Sequence, residues 1–231
     1  MPKDGKRARG VVVAIDGPAG AGKSTVAREL ARRLGYVLVD TGALYRGVAL
    51  AARERGVDWQ DGDALGALAG ALRLGFEMAP DGTPRLTIDG RQRAAEIRTP
   101  EMSMGASHVS KHPPVRAALM GIQRGLGREG GVVLEGRDIG TVVFPDAEAK
   151  IFLTASAEVR ARRRVEDLAE RGIEADFETT LREVQERDAQ DSQREVAPLK
   201  PAADSVTVDT TGVPIGEVVR RLEEIARSAG A

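Results

Sequence analysis

Short apolar runs alternate with stretches of helical periodicity along most of the 231-residue chain. Val11-Val12-Val13-Ala14-Ile15 is apolar at every position, as a strand buried on both faces should be, and it ends in Asp16 and a glycine-rich turn. Beyond the turn, Val26, Ala27, Leu30, Ala31 and Leu34 share one helical face, and Gly35 supplies the stop. Tyr36 to Asp40, Gly131 to Leu134, Ala149 to Leu153 and Ser205 to Asp209 repeat the strand pattern. After Pro214, the positions of Ile215, Val218, Val219, Leu222 and Ile225 predict a terminal helix. Strands and helices in alternation predict an α/β fold with a doubly wound parallel sheet covered on both faces. One stretch departs from the pattern. Phe76-Glu77-Met78 and Arg85 to Gly90 flank a turn-rich segment containing Asp81-Gly82, which predicts a β-hairpin inserted between helical regions. Pro198-Leu199-Lys200-Pro201 reads as a loop into the last strand.

Composition narrows the functional classes. The 34 basic residues are balanced by 35 acidic ones, which argues against a general polyanion binder, since nonspecific nucleic-acid affinity comes from summed positive charge. Aromatic residues make up only 3%, too few for a single-strand stacking platform. The absence of cysteine excludes disulfides, thiolate-bound zinc and a thiol nucleophile. No apolar run approaches the roughly 18 residues of a membrane span, and the stretch after the charged N-terminus is too short for a signal peptide. The expectation is a soluble, cytoplasmic protein. Arginine outnumbers lysine 28 to 6, and asparagine is absent. A compositional habit accounts for most of that excess; position must identify the arginines that hold a ligand, because only Arg offers phosphate a planar bidentate fork.

Gly17-Pro18-Ala19-Gly20-Ala21-Gly22-Lys23-Ser24 matches G-x-x-x-x-G-K-[ST] with a strand before it and a helix after it. The glycines let backbone N–H groups surround phosphate oxygens, and the helix directs its positive end at the same anion. Lys23 then reaches the β- and γ-phosphates and the Ser24 hydroxyl is placed for Mg²⁺. None of the lysines is followed by Asp two residues later, so the usual guanine-reading motif of GTPases is missing.

Four further segments carry candidate chemistry. Asp40-Thr41-Gly42-Ala43-Leu44-Tyr45-Arg46 follows a strand, where open α/β sheets bind ligands, although Thr41 would serve equally as a helix N-cap. Glu135-Gly136-Arg137-Asp138 also follows a strand, and an acid there suits the water shell of a metal. Arg187, Asp191 and Arg194 fall on one face of a helix, an arrangement that fits an exposed salt-bridge stripe as well as a site. Arg160, Arg162, Arg163 and Arg164 crowd one helix start, to be relieved by a polyphosphate or by Glu158, Glu166 or Asp167.

Taken together, the stretches Ile15 to Ser24, Asp40 to Arg46, Gly136 to Pro145, and Glu186-Arg187-Asp188 through Val196-Ala197-Pro198-Leu199 resemble the bacterial cytidylate kinases, a family of nucleoside monophosphate kinases. The resemblance covers residues 11 to 228, includes the inserted β-element, and leaves residues 1 to 9 outside. It implies a five-stranded P-loop kinase fold with a helical lid. The implied core is 10–40, 125–156 and 195–231, the monophosphate-binding region 41–124 with its β insertion at about 73–112, and the lid 157–194. The implied reaction moves the γ-phosphoryl group of ATP to CMP or dCMP, with Mg²⁺, in pyrimidine nucleotide metabolism.

By the same resemblance, Gly17, Pro18, Ala19, Gly20, Ala21, Gly22, Lys23, Ser24 and Thr25 hold ATP, with Arg160 and Arg164 from the lid. Arg46, Arg137 and Arg194 grip the CMP phosphate and Thr41 lies beside it. Ser107, Arg116 and Asp138 face cytosine, and Arg187 and Asp191 hold the ribose. Lys23, Arg137 and Arg194 are the implied catalytic groups. Ser24, and Glu135 through water, are the implied metal ligands, with Glu135 standing where Asp is also used. No base is needed, because the acceptor phosphate is already ionised, and His108 and His112 are expected to be incidental. A monomer is expected, with no nucleic-acid or membrane partner. The rival functions are a kinase for UMP or AMP, and an ATP-driven switch.

Overall fold

The computed structural model describes residues 7–80, 83–170 and 172–231. The chain runs β1 (Val12–Asp16), α1 (Lys23–Leu34), β2 (Val37–Asp40), α2 (Thr41–Glu54) and α3 (Gly62–Ala71). It continues through β3 (Leu74–Met78), β4 (Pro84–Ile88), β5 (Arg91–Gln92), α4 (Pro100–Val109) and α5 (Pro113–Gly127). Then follow β6 (Val132–Gly136), β7 (Ala149–Thr154), α6 (Ala157–Ala169), α7 (Phe177–Ser192), β8 (Val206–Asp209) and α8 (Ile215–Ser228). β1, buried along its whole length, lies centrally in a five-stranded parallel sheet of order β2-β6-β1-β7-β8. The parallel α/β expectation therefore holds.

Strand boundaries shift where backbone geometry overrides the apolar pattern. Tyr36 belongs to the turn that closes α1: Gly35 adopts φ +67°, and the Tyr36 N–H donates to Ala31 O at 2.9 Å. Gly131 bonds Val11 O and the Val37 N–H through its backbone, but its φ of +64° lies outside the strand region, so β6 starts at Val132 and runs two residues further than expected. The inserted hairpin forms between β3 and β4, with Met78 opposite Pro84; its Asp81-Gly82 turn lies outside the described residues. A second turn follows at Asp89 (φ +51°) and Gly90 (φ +80°), both left-handed, and returns the chain as β5. That third strand was not expected.

Two main cores result. Val13, Ile15, Leu30, Ile151, Leu153 and Leu222 belong to one, formed by the sheet with α1 and α8. Leu44, Leu50, Leu65, Leu86, Met102 and Leu119 belong to the other, which joins α2–α5 to the three-stranded insertion. A smaller cluster with Val12, Leu134 and Ile139 fills the sheet beneath the turn that follows β6. Among the described residues no helix is long and apolar enough to cross a membrane.

Leu134 has no exposed surface, and its register partners are Ala14 and Val39. Leu134→Ala should lower stability by about 2–5 kcal/mol, measured by denaturant unfolding, with the loss set by how far the sheet collapses into the void.

Candidate functional site

β1, β2 and β6 end together, and their carboxyl ends open on a cleft of about 610 Å³. The loop after β1 forms its floor because its glycines permit what side chains would prevent. Gly17, Gly20 and Gly22 have φ of +149°, +76° and +87°, and a Cβ on Gly17 would lie 2.0 Å from Leu153 O. Gly22 caps α1 without a side-chain hydrogen bond, so the first helical N–H groups remain available to an anion. Buried Lys23 donates to Gly17 O and Pro18 O, each at 2.7 Å. Burial, and then the nearby Arg137, hold its ammonium well below the usual lysine range.

The acids at the strand ends face this loop. The Ser24 hydroxyl donates to Glu135 Oε2 at 2.9 Å. Burial, and then neighbouring Asp40, push the Glu135 carboxyl up to about 7 against the opposing effects of Lys23 and Ser24. A hydroxyl and a carboxylate form the hard-oxygen set that suits Mg²⁺, although among the described residues no group of three or more acids and histidines encloses a metal. Asp40 is the register partner of Glu135. It caps α2 through the Ala43 N–H at 3.2 Å, so the N-cap expected at Thr41 belongs to Asp40 instead. Thr41 is the first helical residue, and its hydroxyl donates to Glu135 O at 2.8 Å, bracing the two strand ends.

Arginine supplies the opposite wall. Arg46 Nη2 donates to Asp40 Oδ2 at 2.5 Å, and Arg137 Nε to Asp191 Oδ2 at 3.0 Å. Arg116 and Asp138 form a buried ion pair, with the Arg116 guanidinium 5.7 Å from the centre of the Tyr45 ring. Arg194 Nη1 donates to Ser110 Oγ at 3.2 Å, while the Ser107 hydroxyl donates to Gln190 at 3.3 Å. Burial, and then Arg137, lower Arg187 to about 10. Arg46 Nε, Arg187 Nε and Arg194 Nη2 are each buried without a partner. Orphaned donors on crowded cations are unfavourable until an anion meets them.

The structure thus brings Thr41, Arg46, Ser107, Arg116, Arg137, Asp138, Arg187, Asp191 and Arg194 to the same cleft as the Ala19–Thr25 part of the phosphate loop. The exposed-stripe alternative for Arg187 and Asp191 is overturned, since Asp191 is only 3% exposed; Arg194 lies beyond the end of α7. Arg160 also differs from expectation. Its guanidinium is buried against Asp188, at 2.9 and 2.5 Å, and against the carbonyls of Ala155 and Ala19. The crowding of α6 is therefore relieved by α7, with Arg164 also 3.8 Å from Glu183, rather than by Glu158, Glu166 or Asp167. Arg163 and Arg164 line the cleft, and Arg163 is held by the Thr210 hydroxyl and carbonyl, each at 3.0 Å. His108 stacks on Trp59 and His112 bonds Trp59 O, both away from the cleft lining.

Sequence reasoning missed Asp16, Asp40, Tyr45 and Thr210. Asp16 accepts from the backbone N–H groups of Ile139 and Gly140, both at 2.8 Å, and so ties the Arg137-Asp138 turn to the end of β1. Asp40 carried the same signal as Glu135, an acid ending an apolar strand. Tyr45 carried only its place in the Asp40–Arg46 segment, and Thr210 carried no signal.

Comparison with known proteins agrees with this arrangement. A family model described as cytidylate kinase matches residues 13–228. The cytidylate kinase of Citrifermentans bemidjiense is 50% identical over 222 residues, covering 96% of this chain and 94% of its own. That of Enterococcus faecalis is 47% identical over 220 residues, covering 95% and 97%. An uncharacterized protein from Eubacterium ventriosum has a solved structure with a TM-score of 0.50 at 12% identity, covering 94% of this chain and 99% of its own, a likeness of fold alone.

Removing one member of the Arg116–Asp138 pair leaves a buried charge uncompensated. Asp138→Ala should lower stability by about 3–5 kcal/mol in urea unfolding, while an exposed pair such as Arg220–Glu224 should contribute about 0.3–0.5 kcal/mol.

Proposed function

The chain belongs to the cytidylate kinase family, and on that premise we propose how its cleft performs the reaction. The protein is a nucleoside monophosphate kinase that transfers the γ-phosphoryl group of ATP to CMP or dCMP, giving ADP and CDP or dCDP. The loop from Gly17 to Thr25 holds the donor phosphates through backbone N–H groups. Lys23 leaves the loop carbonyls for the β- and γ-phosphate oxygens. Arg46, Arg137 and Arg194 take the acceptor phosphate, with Thr41 beside it. Arg116 and Asp138 read the cytosine edge with Ser107, and Arg187 and Asp191 hold the ribose.

The observation that carries this reading is the set of three partnerless buried guanidinium donors on Arg46, Arg187 and Arg194, opposite a phosphate loop. A dianionic monophosphate satisfies those of Arg46 and Arg194, a ribose hydroxyl that of Arg187, and the dianion offsets the mutual repulsion of the three. Ser24 and Glu135, joined by a hydrogen bond, are the residues that would hold Mg²⁺. Bound there with ATP, the ion would neutralise charge on the β- and γ-phosphates. Phosphoryl transfer passes through a loose transition state, so these groups position and neutralise. The incoming oxygen is already ionised and needs no base.

Three working parts follow: a core of 10–40, 125–156 and 195–231, an acceptor region of 41–124 including the insertion at about 73–112, and a lid of 157–194. Separate hydrophobic cores for the sheet and for α2–α5 support the first division. α6 and α7 bring Arg163, Arg164 and Arg187 to the cleft, which supports the lid. Arg164 meets the donor phosphates, whereas Arg160 acts through its bond to Ala19 O and its hold on Asp188. One chain supplies every residue named, which suits a monomer, and the nucleotide substrates suit the cytoplasm.

A coupled assay of ADP release over CMP, dCMP, UMP and AMP tests the reading; CMP and dCMP should be the preferred acceptors, and equal rates with UMP would exclude cytosine selectivity. Arg137→Ala should lower kcat on the order of 10²–10³-fold while ATP binding, followed by calorimetry, stays near that of the parent.

A further inference from the structure

Arg46 does not face the acceptor position uncommitted. Its Nη2 is held by Asp40 Oδ2 at 2.5 Å, while its buried Nε has no partner. Asp40 is fixed independently of that contact: its other oxygen accepts the Ala43 N–H, and its backbone pairs in register with Glu135. The space for the pair comes from Gly42, where a Cβ would lie 3.1 Å from both Arg46 Nη1 and Asp40 Oδ1. Among the described residues Arg187 and Arg194 form no ion pair, so Arg46 differs from them in carrying its own carboxylate.

We propose that Asp40 is an internal competitor for the acceptor-phosphate subsite. Its carboxylate occupies Nη2 of Arg46, a donor that a phosphate monoester would otherwise take, and thereby sets the affinity of the cleft for that anion. The inference rests on the reading of that cleft as the CMP site. A singly charged anion meeting Arg46 exchanges one carboxylate-like contact for another and gains little. A phosphate dianion gains more, because it can also engage the Arg46 Nε together with Arg137 and Arg194, which line the same cleft. The displaced carboxylate keeps its bond to the Ala43 N–H, so α2 stays capped while Arg46 changes partner.

Isothermal titration of the full chain with CMP, without ATP, tests this. Asp40→Asn retains an oxygen for the cap and removes the competing charge; it should bind CMP about fivefold more tightly than wild type, or more. In an Arg46→Ala background the same substitution should change CMP affinity by about twofold or less, because the competition is gone. Unchanged or weaker binding by Asp40→Asn overturns the proposal, as does an equal gain in the Arg46→Ala background. Should Asp40→Asn fail to fold by circular dichroism, Asp40→Ser, which also caps, takes its place with the same expected gain. Wild-type protein that binds no CMP overturns the reading of the cleft itself; wild-type binding with no gain in the variant overturns this inference alone.

Discussion

Concentrated positive charge in a half-buried cleft is the constraint on which this structure turns. Two like charges 4 Å apart repel by about 4 kcal/mol at an effective dielectric constant near 20, so several guanidiniums cannot share a pocket without compensation. The fold supplies it in two ways. Aspartates pair with some of them: Asp40 with Arg46, Asp138 with Arg116, and Asp191 with Arg137. The remaining imbalance, visible in the depressed Arg187 and in the partnerless donors, is left for the substrate.

Backbone architecture makes that arrangement possible. Parallel strands end on the same side, so Asp16, Asp40 and Glu135 arrive together although they are far apart in sequence. Asp16 holds the turn after β6 and Thr41 ties α2 to Glu135, which anchors the elements that carry Arg137 and Arg46 to the ends of the sheet. The insertion and α2–α5 bring their own core, so this half of the cleft is built on a second packed body. α6 reaches the loop through Arg160 on Ala19 O and Thr210 through Arg163, and α7 is joined to this side of the cleft through Asp188 on Arg160 and Asp191 on Arg137.

Much of this was legible in the chain. The phosphate loop, strand–helix alternation and terminal amphipathic helix are local patterns, and each formed close to where periodicity placed it. The misplacements share one cause, a local geometry that apolar patterning does not encode. Tyr36 was drawn into the turn that closes α1, Gly131 was excluded from β6 by its left-handed backbone, and Asp40 took the cap from Thr41. Arg160 looked like a ligand arginine because it lies in a basic run, yet its partner, Asp188, is on another helix.

The sequence by itself determined the kind of sheet and the anion-binding loop, because those depend on contacts within a few residues or on a motif of fixed spacing, whereas the other candidate site residues were named through the family resemblance. Only the tertiary structure decided which arginines are neutralised within the protein and which keep a donor for the ligand. Charge pairing acts through space at a few ångströms, and the pairs that matter here, such as Arg116–Asp138 and Arg137–Asp191, join separate elements of the fold.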